Sequence, residues 1–276
     1  MQSTNRKIPV FLIIIPVLTA CALRFSLLLS YTDKQTGLIE KGNAIAYIFY
    51  ITLMIAVVIS VLISNKCNEC LHLIYFDDEH RSKSDYYAAI LVSASFFYDF
   101  VHQIYNCYGY ISKTSYVEYT YIVPLALSGV FALLCCFYFG TVSLSLTGSN
   151  FDFKNFTLIH FVTIMWCFLK LLLIMQKLVD FKLDVDCLLE FLTLISLTVF
   201  FFCFISSIDK QGEIRKGFIL FSILSLIFSF TLAAPRLLMI IIGKGNLLSN
   251  VDYSLITYIV IGAYARSLSN KALKRN

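Results

Sequence analysis

Long apolar runs, broken at intervals by short polar stretches, set the pattern of this chain. Eight runs can be marked, over 8–31, 44–64, 86–109, 119–146, 156–178, 187–208, 218–242 and 251–267. Most reach roughly 20 residues, the length at which a helix crosses about 30 Å of hydrocarbon. The pattern predicts an all-α fold, a polytopic transmembrane helix bundle of about eight spans. Alternate connections are short, so consecutive spans should pair as four helical hairpins, 1–2, 3–4, 5–6 and 7–8. The last run is short and contains Ser254, Thr257 and Gly262, which leaves open a helix lying on the membrane surface. No connection is long enough for a separate soluble unit, so residues 1–276 read as a single integral membrane domain.

Polar positions inside the runs carry the functional interest. The first helix of each hairpin carries an ionisable residue well inside its run: Arg24, Asp99, Lys170 and Arg236, at intervals of 75, 71 and 66 residues. A device recurring at a similar spacing suggests an old hairpin repeat. A charge at the bilayer centre costs at least about 2.5–3.5 kcal/mol, so each should face other protein or water. Helical spacing agrees. Ser95, Asp99, His102, Gln103 and Asn106 fall on one stripe of the third span. His160, Thr163, Cys167 and Lys170 do so on the fifth, and Ser222, Ser225, Ser229, Ala233 and Arg236 on the seventh. These faces should converge, with Glu190 joining at the outer end.

Two readings follow. In one, Asp99 pairs with Arg24 or Arg236 and the charges only lock the helices together. In the other, Arg24, Asp99, His102, Lys170, Glu190 and Arg236 line a substrate-binding cavity. Three cations against Asp99 and Glu190 leave one positive charge in excess, which would suit an anionic or zwitterionic solute. Pro235 removes a backbone hydrogen bond and frees a carbonyl near Thr231, making it the candidate hinge. Tyrosines near the ends of the third span, among them Tyr86, Tyr87, Tyr105 and Tyr108, fit an interfacial belt.

Composition supports lipid as the solvent. Hydrophobic residues make up 59% of the chain and charged ones 14%, against roughly 25% charged in soluble domains. With eight spans, thirteen Lys and Arg fall on the side of the two termini and six on the other. Basic residues stay cytoplasmic, so a plasma-membrane protein with both ends inside is expected. The formal charge of +5 is too small and too scattered to imply nucleic acid. Leu18-Thr19-Ala20-Cys21 resembles a lipoprotein cleavage site, but Phe25 to Tyr31 continue the apolar run past it.

Candidate chemistry is sparse. Cys67, Cys70, His72 and His80 in the inner loop could supply four zinc ligands, although the second pair lacks an established spacing. Nine scattered cysteines do not form a disulfide framework, and Cys107 and Cys187 are the pair placed to bond if any does. HExxH, Gly-x-Ser-x-Gly and phosphate-loop signatures are absent. No enzyme activity and no cofactor are therefore expected.

Arg24, Tyr31, Asp33, Thr36 and Gly37 resemble the first outer loop of uncharacterised polytopic membrane proteins of Gram-positive anaerobic bacteria. In those proteins an Arg-bearing helix leads into an Asp-x-x-Thr-Gly turn. The resemblance implies a bacterial plasma membrane and brings no activity with it. The expected function is a small-solute permease or substrate-binding membrane component. The alternative is a non-transporting sensor or assembly protein that contacts a cytoplasmic partner through the 65–85 loop.

Overall fold

A computed structural model of the chain describes residues 11–31, 43–66, 71–72, 83–113, 118–146, 157–180, 185–209, 213–214, 216–245, 248 and 254–274. Each apolar run becomes a helix: α1 (Phe11–Ser30), α2 (Ala44–Lys66), α3 (Lys83–Lys113) and α4 (Tyr119–Ser145), then a single turn, α5 (Thr157–His160). After a break at Phe161 follow α6 (Val162–Asp180), α7 (Val185–Asp209), α8 (Lys216–Ile241) and α9 (Leu255–Lys274). In lipid every backbone polar group must be satisfied within its own segment, which helices achieve. Prolines 16, 124 and 235 lie inside α1, α4 and α8.

The molecule is an α-helical bundle of membrane type. Helices α1, α2, α4, α7 and α8 are long and apolar enough to cross a membrane, and α6 carries a shorter apolar stretch, Val162–Gln176. The outside of the bundle is apolar: Phe11, Tyr47, Met54, Phe137 and Phe202 are all exposed. Such a surface is solvated by acyl chains rather than water.

The four expected hairpins form, since α1 packs on α2, α3 on α4, α6 on α7 and α8 on α9. Further contacts of α4 with α6, α7 with α8 and α9 with α3 close six helices into a ring. Aromatic side chains fill its middle. Phe96 stacks on Phe139 at 5.6 Å and meets Trp166 edge-on at 4.9 Å, while Tyr264 meets Phe139 at 5.5 Å. The α1/α2 hairpin stands outside the ring, packed on α8.

Helix α9 is packed into the bundle against α8 and α3. Thr257, Tyr258, Ile261, Gly262, Tyr264, Ala265 and Leu268 are buried. The reason is packing. A Cβ at Gly262 would run into Ser229 Oγ and come within 3.1 Å of the Ser225 carbonyl. Glycine is what lets α9 approach α8 so closely. The helix also continues past 267 and takes Arg266, expected in a basic tail, into the protein, where its guanidinium donates to Ser269 Oγ at 3.2 Å.

Two residues after α2, Leu71–His72 (β1), pair antiparallel with Glu213–Ile214 (β2) before α8. The Ser64 hydroxyl donates to the Lys216 carbonyl at 2.8 Å beside them. These contacts mark one end of the bundle, the strand end.

Contacts between helices also fix their relative depth. The Thr257 hydroxyl donates to the Ser95 carbonyl at 3.0 Å, and the Trp166 and Tyr258 rings lie 6.1 Å apart. With Gly262 against Ser229 and Tyr258 against Glu190, counting along each helix brings Arg24, Asp99, Lys170, Asp186 and Arg236 within about one turn of a common level. Helices α7 and α9 begin at that level. Helix α3 runs roughly 20 Å beyond it, at 1.5 Å per residue. Among the described residues the far end of the bundle is stepped, and the charges lie at the step.

Candidate functional site

Five buried or part-buried charges share that level, yet they form two separate clusters. The first joins α3 to α6. Lys170 Nζ lies 2.9 Å from Asp99 Oδ1, and Gln103 Nε2 donates to the same oxygen at 3.2 Å. Trp166 Nε1 donates to Oδ2 at 2.9 Å. Asp99 is fully buried, and Trp166 also offers its ring face to the ammonium at 5.8 Å. Three donors from two helices thus hold one carboxylate in a dry place, and the pair is neutral.

The second cluster joins α1, α7 and α8. Arg24 and Arg236 both pair with Asp186, the latter at 2.7 Å. Arg24 also lies over the Phe49 ring of α2 at 5.7 Å. Asp186 sits in the first turn of α7, where the helix dipole favours a carboxylate. It keeps 14% of its side chain exposed, whereas both guanidiniums are buried. Glu190 follows one turn along α7, half-buried, and accepts the Tyr258 hydroxyl of α9 at 3.1 Å.

This arrangement corrects two expectations. Asp99 does not pair with Arg24 or Arg236; Lys170 is its partner, because the Lys170 and Trp166 side chains of α6 reach it while both arginines are drawn to Asp186 of α7. Among the described residues at this level the surplus positive charge also disappears. Asp186 falls just ahead of the 187–208 run, but α7 begins one residue before it. Arg24, Lys170 and Arg236 then face Asp99, Asp186 and Glu190, three against three.

The remaining candidates are placed as follows. His102 is half-buried, with Nδ1 3.3 Å from Asn106 Nδ2 and its ring 6.4 Å from Tyr98. The other stripe residues of α6 are buried, and His160 Nδ1 lies 2.9 Å from the Tyr138 hydroxyl. Serines 222, 225 and 229 donate to carbonyls of their own helix, and the last two pack on Gly262. Their stripe serves close packing rather than a polar wall. Pro235 is buried in α8 beside Arg236. Cys67, Cys70 and His80, like most of the 65–85 loop, lie outside the described residues, and only the backbone pairing of His72 is described. Among the described residues no group of three or more His, Cys, Asp or Glu could hold a metal ion. Cys107 and Cys187 are not joined in a disulfide. Cys21 lies mid-way along α1 with its thiol 3.5 Å from the Phe230 carbonyl.

No family model, curated protein or solved structure matches the chain. Chemistry at the site is therefore the basis for function. Sequence reasoning missed Asp186, Tyr258 and Trp166. A signal existed for the first: two buried arginines need a nearby acid, and an Asp opening a helix is a favoured place for one.

Proposed function

We propose that the chain is a small-solute permease, or the substrate-binding membrane component of one, that recognises a carboxylate through Arg24 and Arg236. It would sit in the plasma membrane with both termini cytoplasmic and the stepped end outward, as the distribution of basic residues suggests. One observation carries the reading. Two guanidiniums from different helices converge on a single, part-exposed carboxylate at the level where α7 and α9 begin. A ligand carboxylate arriving at the step would meet planar, bidentate donors with Asp186 as the group to displace. Pro235 would let the end of α8 move as that exchange takes place.

A second reading, a non-transporting sensor or assembly protein, draws on the Asp99 cluster, whose complete pairing suits a lock. Its partner would be a soluble protein held by the 65–85 loop.

Thermal unfolding of the full chain in nanodiscs, screened against short carboxylic acids and amino acids, separates the two. A ligand should raise the melting temperature of the wild type by mass action. Arg236→Lys should bind it at least tenfold more weakly, and Arg236→Ala should lose it. No stabilising compound, or equal stabilisation of all three proteins, would remove the permease reading. Co-purification of a soluble protein that is lost when residues 65–85 are replaced would favour the second.

A further inference from the structure

Both guanidiniums of the second cluster are buried, Arg24 completely, whereas Asp186 keeps part of its side chain exposed. A solute at the step can therefore touch Asp186 before it can touch either arginine. Some element has to move before a ligand carboxylate can replace Asp186. Arg24 belongs to the α1/α2 hairpin, the part of the bundle that stands outside the ring and packs on α8.

That hairpin is held differently at its two ends. At the strand end the chain leaving α2 pairs with the chain entering α8 through β1 and β2, and the Ser64 hydroxyl holds the Lys216 carbonyl at 2.8 Å. At the far end α1 reaches the ring through Arg24, paired with Asp186 of α7. Arg24 also lies over Phe49 of α2, so its guanidinium travels with the hairpin. Between the ends α1 buries Ile13, Val17, Ala20 and Leu27, and its Cys21 thiol, a weak donor, meets the Phe230 carbonyl of α8. Acyl chains replace apolar contacts at little cost, because lipid tails are as apolar as the side chains they meet. Polar ties then decide whether the hairpin stays seated. Phe49 and Ser64 are fifteen residues apart on α2, a lever of about 22 Å, so a tilt of about 10° at the strand end moves the Arg24 end by about 4 Å. That is enough to take a guanidinium off its carboxylate.

Building on the carboxylate site proposed above, we infer that the α1/α2 hairpin is its gate: it pivots at the strand end, Arg24 and Asp186 form its latch, and its opening admits the ligand to the two arginines. Exchange of partners at Asp186 and movement of the hairpin are then one event. Hinged movement of one element over a site both admits a ligand and shuts it in.

Pulsed electron-spin distance measurements on the full chain in nanodiscs read the two ends separately. Nitroxides carried on noncanonical residues leave the native cysteines in place. Exposed positions suit them: Ile48 of α2 with Phe168 of α6 for the far end, and Leu62 of α2 with Leu144 of α4 for the strand end. Arg24→Gln, which removes the guanidinium together with every tie it makes, should lengthen the far-end distance by about 4 Å and leave the strand-end distance as in the wild type. Asp186→Asn should move the far end in the same direction and covers the case of an Arg24 variant that does not fold. A far end unchanged in both variants, or two ends that shift alike, would overturn the gate and leave the carboxylate site to its own thermal screen. Movement in the variants of a chain that binds no acid in that screen would support the hinged hairpin and remove the carboxylate reading.

Discussion

The two charge clusters lie at one depth and are built from the same residue types, yet they are held in opposite ways. Around Asp99 every neighbour donates to one carboxylate, and the whole group is buried within the ring. Around Asp186 one part-exposed carboxylate is shared between two guanidiniums, one of them from the hairpin that stands outside the ring. Burial with full pairing makes a fastener. Sharing at an edge makes a place where a partner can be exchanged.

The largest effect should come from breaking the fastener. Asp99→Asn or Lys170→Met alone leaves an unpaired charge in the ring and should destabilise by about 3–5 kcal/mol. The double variant should recover most of that, read by denaturant titration in detergent. If both single variants match the wild type, the contrast fails. Asp186→Asn should lose less, about 2–3 kcal/mol, and should be restored by added acetate or formate filling the vacated position. Asp99→Asn should show no such rescue, since no solute reaches it. Rescue of both or of neither would erase the distinction. Next comes the element that sets the depth of the step: Gly262→Ala should cost about 1–3 kcal/mol by overpacking α9 on α8. Ser229→Ala in the same chain should relieve part of it, which a double-mutant cycle would measure. Smallest is Pro235→Ala, which restores one backbone hydrogen bond and should change stability by about 1 kcal/mol or less. Slower ligand exchange in that variant would support a hinge, and unchanged exchange would dismiss it.

Much of the fold was legible in the residues, because apolar runs of membrane length have few alternatives. Helix boundaries came within four residues except at the end of α9, which runs seven residues past 267, and the hairpins followed from short connections. The four charges at a regular interval were also readable, and in the folded chain they share one level. Pairing was not readable. Asp99 had three cations to choose from, and the choice depends on which helix stands opposite in a ring that no local pattern encodes. Asp186 was hidden because a charged residue in the first turn of a helix reads as loop by hydropathy. The serines of α8 misled for a related reason: a hydroxyl every third or fourth residue looks like a polar face, but each can satisfy itself on its own backbone and act simply as a small residue.

Helices α3 and α9 are the least apolar of the long helices, and neither is among the five that qualify as spans by hydropathy. They are neighbours, joined by the bond from Thr257 to the Ser95 carbonyl. During synthesis Ser95 must wait for a partner made 162 residues later before that contact can form. Such a separation predicts non-sequential assembly: α3 should be retained by its hairpin with α4 and reach its final seat only after α9 arrives. Chains stopped before α9 should leave a cysteine placed at Ser95 open to a water-soluble thiol reagent, and closure of that position in such chains would show that α3 seats itself alone.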